Sequence, residues 1–319
     1  MNKQAIFIPE LHNQNYEFTE VISKLCNPNN NVKFRSQILN EDVVSCLRKV
    51  NKEYKFDVVI ADPPYNIGKD FGNNTDCMEI SQYIKWTKKW LSLCFDVLAK
   101  NGLIYVYGIP EILARIAANY PVEKQRLLVW HYTNKTVPYS TFWQRSYESI
   151  LCLWKENRPN LEIDQIREPY TDNYLKCAGR ERKETKGRFG NKKTIYNVNN
   201  NGALPRDVIK IPALAGGAGR IERHFMCKTC NNTLYQSSKL KNHDNHHIVQ
   251  HPTQKPMQLT ERLLKSRINC NGGKALVPFA GSGSECVAAK NLGIEFLGIE
   301  LNPEYVEYAN QWLKIDNKF

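Results

Sequence analysis

An apolar run that stops at two consecutive prolines is the feature of this sequence that most constrains its fold. The run Phe56–Ala61 is rich in β-branched residues, and Asp62, Pro63 and Pro64 follow it at once. A short, continuous apolar run favours a strand buried on both faces, as in a parallel sheet, and proline cannot donate the next ladder hydrogen bond. The sequence therefore predicts a buried parallel strand whose carboxyl end opens into a rigid loop.

Strand and helix patterns alternate through most of the rest of the chain. Apolar residues recur at helical spacing from Glu79 to Lys100, and the apolar run Leu103–Gly108 follows as a strand. Asn302 is predicted to cap the last helix. Further strands are predicted at 127–130, 149–154, 274–279 and 296–299. This alternation predicts an α/β fold built on a doubly wound, mostly parallel sheet.

Length and charge limit the kind of protein that this can be. The 319 residues suffice for one large α/β domain and a modest extra module. No apolar run approaches the roughly 18 residues of a membrane span, and the N-terminus has no apolar signal region. We therefore expect a soluble, cytoplasmic protein with no membrane partner.

The net charge of +12 favours a polyanionic partner, although a solvated basic surface is an equally good explanation.

The loop Asp62-Pro63-Pro64-Tyr65 combines groups that suit chemistry on an aromatic amine. An exocyclic amine such as adenine N6 has a delocalised lone pair, so it is a poor nucleophile until its hydrogens are held. The Asp62 carboxylate and the Pro63 carbonyl could accept these two hydrogens, and Tyr65 could stack on the base. The nitrogen would then attack directly, without a cysteine nucleophile. A proline-rich turn capped by Asp62 is the alternative interpretation.

A glycine-containing turn follows a second predicted strand. Phe279 begins the segment Phe-Ala-Gly-Ser-Gly, in which Gly281 and Gly283 would let a ligand approach the backbone closely. Glu300 stands at the end of the next strand, where its carboxylate could accept both hydroxyls of a ribose. A tight turn without a nucleotide is the alternative, since the third position of the dinucleotide pattern is Cys286.

A Cys/His pattern lies in the polar stretch between these motifs. Eight of the ten cysteines are scattered and are expected to be reduced, but Cys227 and Cys230 have Cys-X2-Cys spacing. With His243 and His247 they match a C2H2 zinc finger over residues 225–247, which predicts a structural Zn²⁺. The alternative is a chance pairing of cysteines with a His-rich loop. Two other histidines could replace a ligand, namely His224 and His246.

A finger of this type would place Gln236, Lys239 and Asn242 on the helix face that reads bases in the major groove. A purely structural finger that fixes the loop is an equally good interpretation. The basic run Lys176–Lys193 suits phosphate contacts, or simply solvation, better than base reading.

Taken together, the motifs resemble those of the DNA amino-methyltransferases. The Asp-Pro-Pro-Tyr motif of that family matches residues 62–65, and its Phe-X-Gly-X-Gly motif matches 279–283. The catalytic motif comes first and His251–Pro256 precedes the glycine motif, an order that resembles the permuted β group. Asp at the first catalytic position is typical of adenine-N6 enzymes, whereas Ser is commoner in cytosine-N4 enzymes. The resemblance covers residues 33–175 and 204–313.

The resemblance implies a Rossmann-like methyltransferase fold with S-adenosylmethionine as methyl donor. Phe279, Gly281 and Gly283 would contact the methionine part of this cofactor, and Glu300 its ribose. Because the target base is buried in the duplex, methylation would require base flipping.

Further cofactor contacts are implied at three positions. Asp42 aligns with the acidic residue that contacts the cofactor adenine, and Thr253 and Lys255 belong to the flanking motif. Two residues depart from the family pattern. Glu41 stands where glycine usually precedes the acidic residue, and Val277 stands where Asp usually precedes Pro-Phe.

The resemblance also predicts the organisation and partners of the chain. Residues 33–175 would form the catalytic half, 176–250 a basic target-recognition region with the finger, and 251–319 the cofactor-binding half. The expected partners are double-stranded DNA, a separately acting restriction endonuclease and a second copy of the chain.

Three other functions are compatible with parts of the pattern. The nearest is cytosine-N4 methylation of DNA. Protein-glutamine methyltransferases have a similar loop, but their glycine motif precedes it. A zinc-finger DNA-binding protein on an inactive methyltransferase scaffold is the non-enzymatic alternative.

Overall fold

The structure, a computed structural model, describes residues 36–71, 76–134, 140–181, 195–215, 222–269 and 272–315. Its strands in chain order are β1 (Gln37–Asn40), β2 (Phe56–Ala61), β3 (Leu98–Gly108), β4 (Gln125–His131), β5 (Tyr147–Leu153), β6 (Val208–Lys210), β7 (His224–Cys227), β8 (Thr233–Gln236), β9 (Ile248–Val249), β10 (Lys274–Val277) and β11 (Glu295–Glu300).

The helices pack around these strands. They are α1 (Val43–Lys49), α2 (Ile80–Val97), α3 (Pro110–Ala117), α4 (Asp172–Leu175), α5 (Met257–Lys265), α6 (Ser284–Asn291) and α7 (Pro303–Lys314). Short 3-10 helices span Val122–Lys124, Ile163–Gln165 and Ser237–His243. Within the described ranges, no helix has the length and apolarity needed to cross a bilayer.

Eight strands form one sheet in the order β1-β11-β10-β2-β3-β5-β4-β6. The five strands from β1 to β3 run parallel, β5 is antiparallel to both of its neighbours, and β6 is parallel to β4. A separate antiparallel sheet has the order β8-β7-β9. The predicted mostly parallel α/β sheet is therefore confirmed.

The strand that precedes the catalytic loop is buried on both faces, as its composition predicts. Val58 and Ile60 of β2 belong to the hydrophobic core on one side of the sheet, and Val59 and Ala61 belong to the core on the other. All four residues are 0% exposed. A strand of this kind needs apolar residues at every position, which explains the absence of alternation in the sequence.

The first predicted helix and strand have different bounds in the structure. Helix α2 ends at Val97, and β3 begins at Leu98 rather than at Leu103. Leu98 pairs with Phe56 of β2, so sheet pairing overrides the helical spacing of the last three residues of the predicted helix. Asn302 caps α7 as predicted, because its side chain accepts a hydrogen bond from the backbone N–H of Glu304.

The topology places three predicted motif positions at one edge of the sheet. Strands β2, β10 and β11 are consecutive and parallel. Their carboxyl ends lead into the Asp62 loop, the glycine turn and Glu300, respectively. Ligands of open α/β sheets bind at this edge, so segments that are distant in sequence can form one site.

Candidate active site

One cavity lies where the three strands end, and its volume is ≈ 570 Å³. This volume is in the range of about 300–1,000 Å³ that is typical of small-molecule sites. Residues of both predicted motifs line it, namely Asp42, Asp62, Pro63, Pro64, Tyr65, Thr253, Lys255, Phe279, Gly281 and Glu300. The structure thus brings the predicted catalytic loop and the predicted cofactor residues to one space.

Asp62 is held at both carboxylate oxygens. Its Oδ2 accepts a hydrogen bond of 2.8 Å from Lys255 Nζ, and its Oδ1 accepts one of 2.9 Å from the Tyr65 hydroxyl. Burial raises the pKa of Asp62, and the ammonium of Lys255 opposes that rise. The carboxylate therefore has a fixed orientation and a cation that favours its charged form.

Lys255 is buried among acidic groups, with only 4% of its side chain exposed. Burial lowers the pKa of Lys255, but Asp62 and Glu148 outweigh burial and hold the pKa above its ordinary value. The ammonium lies 5.1 Å from the centroid of the Tyr65 ring. Lys255 belongs to the flanking cofactor motif in sequence, yet its nearest partner is the catalytic loop.

Glu148 on β5 is part of the same network. Its Oε2 accepts a hydrogen bond of 2.8 Å from the Tyr65 hydroxyl, and its Oε1 accepts one of 2.8 Å from the Tyr132 hydroxyl. The single hydroxyl hydrogen of Tyr65 thus lies between the carboxylates of Asp62 and Glu148. Sequence analysis missed Glu148, and its only signal was an acidic residue at the start of the apolar strand Tyr147–Leu153.

Hydrogen bonds from outside the motif fix the shape of the catalytic loop. The Tyr83 hydroxyl donates to the Pro64 carbonyl at 2.6 Å. The carboxylate of Asp76, a residue that is 2% exposed, accepts from the backbone N–H groups of Ile67 and Lys69. Within the described part of the chain, no hydrogen bond is donated to the Pro63 carbonyl. That carbonyl is available as an acceptor beside Asp62.

The two glycines of the turn have different surroundings. Gly281 has φ +50°, and a Cβ there would lie 2.7 Å from Nε2 of His251. Gly283 has φ +81°, and a Cβ there would lie 2.6 Å from Cβ of Ala309 on α7. Gly281 faces the cavity, whereas Gly283 is required for the packing of α6 against α7. Close approach of a ligand to Gly281 and Gly283 stays a prediction, and of the two only Gly281 lines this cavity.

Glu300 ties the glycine turn to helix α7. Its Oε2 accepts a hydrogen bond of 2.8 Å from the backbone N–H of Gly281, and its Oε1 accepts one of 2.8 Å from that of Asn302. Burial raises the pKa of Glu300, and these amide hydrogen bonds counteract the rise. Each carboxylate oxygen keeps a lone pair for a second donor.

Two other predicted cofactor residues have structural partners. Asp42 caps α1 by accepting a hydrogen bond of 3.0 Å from the backbone N–H of Ser45. The Phe279 ring packs against Trp86 and Trp90 of α2, with centroid distances of 5.6 and 5.0 Å. Both residues line the cavity, so their contacts fix its wall.

Glu285 at the start of α6 is a second residue that sequence analysis missed. It lines the cavity and is 4% exposed. Its Oε2 accepts a hydrogen bond of 2.7 Å from the Ser284 hydroxyl, while its buried Oε1 has no partner within the described residues. Burial and the charge of Asp62 raise the pKa of Glu285 to about 7. With Asp62 and Glu148 it makes an acidic wall that faces one cation, Lys255.

The Cys/His cluster, defined as Cys227, Cys230, His243 and His246, forms on the small sheet. Its potential ligand atoms all lie within 4.8 Å of one another. His247, which we predicted as a ligand, is exposed, and its Nε2 lies 3.5 Å from Oε1 of Glu304. The chain turns at Asn245, which has φ +66°, and this turn directs His246 rather than His247 to the cysteines. The predicted ligand set is corrected accordingly.

The predicted base-reading helix does not form as an α-helix. Gln236 ends strand β8, and Lys239 and Asn242 lie in the 3-10 helix Ser237–His243. The chain then returns as β9, which adds a third strand to the hairpin. This arrangement differs from the strand-strand-helix plan of a C2H2 zinc finger. Of the basic run Lys176–Lys193, residues 182–193 lie outside the described residues.

Comparison with known proteins gives the family context. The profile of a family described as DNA methylase, with N6 and N4 members, matches residues 56–311. Type II methyltransferase M.HpaI of Haemophilus parainfluenzae is 28% identical over 295 residues, which are 89% of this chain and 75% of that protein. DNA adenine methyltransferase YhdJ of Escherichia coli K12 is 25% identical over 298 residues, which are 92% of this chain and 88% of that protein.

Two solved structures share the fold. The PvuII DNA methyltransferase, described as cytosine-N4-specific, has a TM-score of 0.56 and 13% identity, with 90% of this chain and 92% of that chain covered. The complex of M1.HpyAVI with SAM has a TM-score of 0.52 and 19% identity, with 88% of this chain and 99% of that chain covered. At these identities the likeness extends to the fold alone.

Proposed function

This chain belongs to the DNA methylase family and is a DNA methyltransferase, and we propose that it transfers a methyl group from S-adenosylmethionine to N6 of adenine in double-stranded DNA. One observation carries the proposal. The Asp62 carboxylate, fixed by Lys255 and Tyr65, lines the same cavity as the glycine turn that begins at Phe279.

The cavity suits a cationic nucleoside cofactor. Glu285 and Glu300, near the glycine turn, line it, and their carboxylates would attract a positively charged ligand. Gly281 would let the methionine part approach the backbone, and Glu300 has lone pairs for the ribose hydroxyls. Asp42 and Thr253 would lie along the rest of the cofactor. When bound, S-adenosylmethionine supplies an electrophilic methyl group on a sulfonium.

Asp62 and Pro63 would prepare the target amine. The Asp62 carboxylate and the Pro63 carbonyl are neighbouring acceptors, and together they can take the two hydrogens of an exocyclic amine. Holding both hydrogens favours a pyramidal nitrogen with a localised lone pair, which is the nucleophile that methyl transfer needs. The Tyr65 ring, tethered through its hydroxyl, would support the base.

The network also offers an acceptor for the proton that must leave. Methylation of the amine would form an N–C bond while the methyl–sulfur bond of the donor breaks and its electron pair stays on sulfur. The nitrogen is left with a positive charge, which is relieved by loss of one proton. Asp62 can accept this proton, and the Tyr65 hydroxyl can relay it to Glu148 by donating its own hydrogen. Burial and the adjacent carboxylates raise the pKa of Tyr65 well above its ordinary value, so Tyr65 relays as a neutral hydroxyl.

The segment between β4 and β5 has features that suit DNA. Phe142 and Trp143 are 76% and 86% exposed, and Arg145, two residues later in the chain, lines the cavity. Exposed aromatic rings can stack on bases that have left the duplex. The net charge of +12 adds attraction to phosphates.

Asp as the first residue of the loop favours adenine over cytosine, and the similarity to a DNA adenine methyltransferase supports that choice. The test is methylation of unmodified DNA with labelled cofactor, followed by digestion and chromatography of the nucleosides. We expect label in N6-methyladenine. Label confined to N4-methylcytosine would refute the choice of base, and unlabelled DNA would refute the activity.

We propose a bacterial restriction-modification setting, because relatives are named Type II methyltransferases. The chain would act in the cytoplasm, as a homodimer, beside a separate endonuclease. We also propose that the Cys/His cluster holds a resident structural Zn²⁺.

A further inference from the structure

The Cys/His cluster has the spacing of a tetrahedral zinc site. The His243 and His246 Nδ1 atoms are 3.3 Å apart, and three of the four sulfur–nitrogen distances are 3.3, 3.6 and 3.8 Å. Zn–N bonds of about 2.0 Å and Zn–S bonds of about 2.3 Å give tetrahedral edges of about 3.3 Å between nitrogens and about 3.5 Å between sulfur and nitrogen. The four side chains therefore surround a space that fits Zn²⁺.

The local backbone and aromatic side chains hold these ligands in place. Asn231 and Asn232 follow Cys230 with φ values of +55° and +56°, which turn the chain back into β8. The His243 ring packs on Tyr235 at 4.3 Å and edge-on to Phe225 at 5.2 Å. The ligand arrangement thus follows from a small folded unit, here called the metal module, which comprises β7, β8, the 3-10 helix Ser237–His243 and β9.

The metal module packs against helix α7 of the large domain. Met226 and Val249 share a buried apolar cluster with Tyr308 and Trp312 of α7. The Tyr308 hydroxyl donates to the His224 carbonyl at 3.1 Å. Apolar contact on this scale joins the module and the helix into one core.

Polar contacts surround that core. Lys228 Nζ lies 2.6 Å from Oε1 of Glu304, and the Asn232 amide donates to Oε1 of Glu307 at 2.5 Å. His247 also contacts α7, because its Nε2 lies 3.5 Å from Oε1 of Glu304. The histidine that does not join the cluster therefore contacts α7.

Helix α7 in turn borders the cofactor side of the cavity. Tyr305 lines the cavity and packs on His251 at 4.9 Å. Asn302 at the N-terminus of α7 donates its backbone N–H to Glu300. We infer that Zn²⁺ bound by the Cys/His cluster stabilises the metal module as a support for α7 and, through α7, for the cofactor side of the cavity. The link to the cofactor rests on the proposed function, whereas the metal site and the support of α7 do not.

The test compares two adjacent histidines in the full-length protein. His246→Gln removes a proposed ligand, and His247→Gln is the matched control at the position that the sequence pattern favours. We expect about one zinc per chain, by elemental analysis, in the wild type and in His247→Gln. We expect less than half of that in His246→Gln, with a lower Tm. Zinc retained by His246→Gln, or lost from His247→Gln, would overturn the ligand assignment.

A second measurement tests, without any substitution, whether the metal module supports α7. After a chelator has removed the metal, amide hydrogen exchange should be faster in residues 302–314 and should stay the same in β2. The Kd for S-adenosylmethionine should rise about tenfold. Unchanged exchange in α7 would refute the supporting role. A protein that binds zinc and protects α7 but does not methylate DNA would contradict only the proposed function.

Discussion

The two sides of the cavity are built differently. The loop side, Asp62–Tyr65 with its contacts, is fixed by charged and hydroxyl side chains such as Lys255 and Glu148 from distant elements. The glycine side, 279–283 with Glu300, is fixed mainly by backbone hydrogen bonds and close packing. The loop side can exchange protons, whereas the glycine side mainly sets a shape. Substitutions on the loop side should therefore reduce turnover, and those on the glycine side should weaken cofactor binding.

The largest effect is expected for Asp62→Ala. Removing the carboxylate takes away both the acceptor for the amine and the partner of Lys255, so kcat should fall by at least about 10³-fold. Methyl incorporation into DNA at saturating cofactor measures this loss. Turnover within tenfold of the wild type would remove Asp62 from the mechanism.

Glu148→Gln should have the next largest effect. Gln keeps the size of the side chain but is a poor proton acceptor, so kcat should fall by about 10- to 100-fold while cofactor affinity stays the same. The rate as a function of pH should also change in shape, which a merely structural role would not produce. A fall in cofactor affinity alone would mean that Glu148 belongs to the binding side.

Gly281→Ala tests the glycine side. The added Cβ would combine a positive φ with a contact of 2.7 Å to His251, so the Kd for S-adenosylmethionine should rise. Strain of about 1–3 kcal/mol predicts a rise of about tenfold. Gly293→Ala is the matched control, because Gly293 has φ +69° but no atom within 4 Å of the added Cβ. Equal losses of affinity in both variants would refute a local effect at the cavity.

Glu285→Gln tests a buried acid next to the glycine turn through its effect on stability. The pKa of Glu285 is raised to about 7 by burial and Asp62, so its contribution to stability is full below about pH 4 and is lost as pH rises through 7. Gln resembles the protonated form. The free energy of unfolding of Glu285→Gln should exceed that of the wild type by about 1–3 kcal/mol at about pH 8.5, and the two should be similar at about pH 4.

Urea titrations at both pH values measure this difference. Glu123→Gln is the control, since Glu123 is an exposed acid outside the cavity. A pH-independent difference for Glu285→Gln would exclude titration of Glu285 as its cause.

The fold and the meeting of the two motifs could be predicted because the parallel sheet determines both. A doubly buried strand needs an uninterrupted apolar run, as in Phe56–Ala61, and neighbouring parallel strands end at the same edge. These rules depend on periodicity and chain order, which a sequence displays directly. They locate Asp62 and Gly281 without knowledge of any individual contact.

The residues that could not be predicted depend on long-range or single-turn geometry. Glu148 reaches Tyr65 only because β5 returns antiparallel beside β3. The choice of His246 over His247 depends on one positive φ at Asn245. Neither feature leaves a periodic signal, so spacing alone favoured His247 where the structure places His246 beside the cysteines.

The most direct test of the division between the two sides is a calorimetric titration of Asp62→Ala with S-adenosylmethionine. Asp62 lies on the loop side, so we predict a Kd within about threefold of the wild-type value in a protein that has lost methyl transfer. Loss of cofactor binding together with turnover, in a folded protein, would contradict the assignment of separate tasks to the two sides.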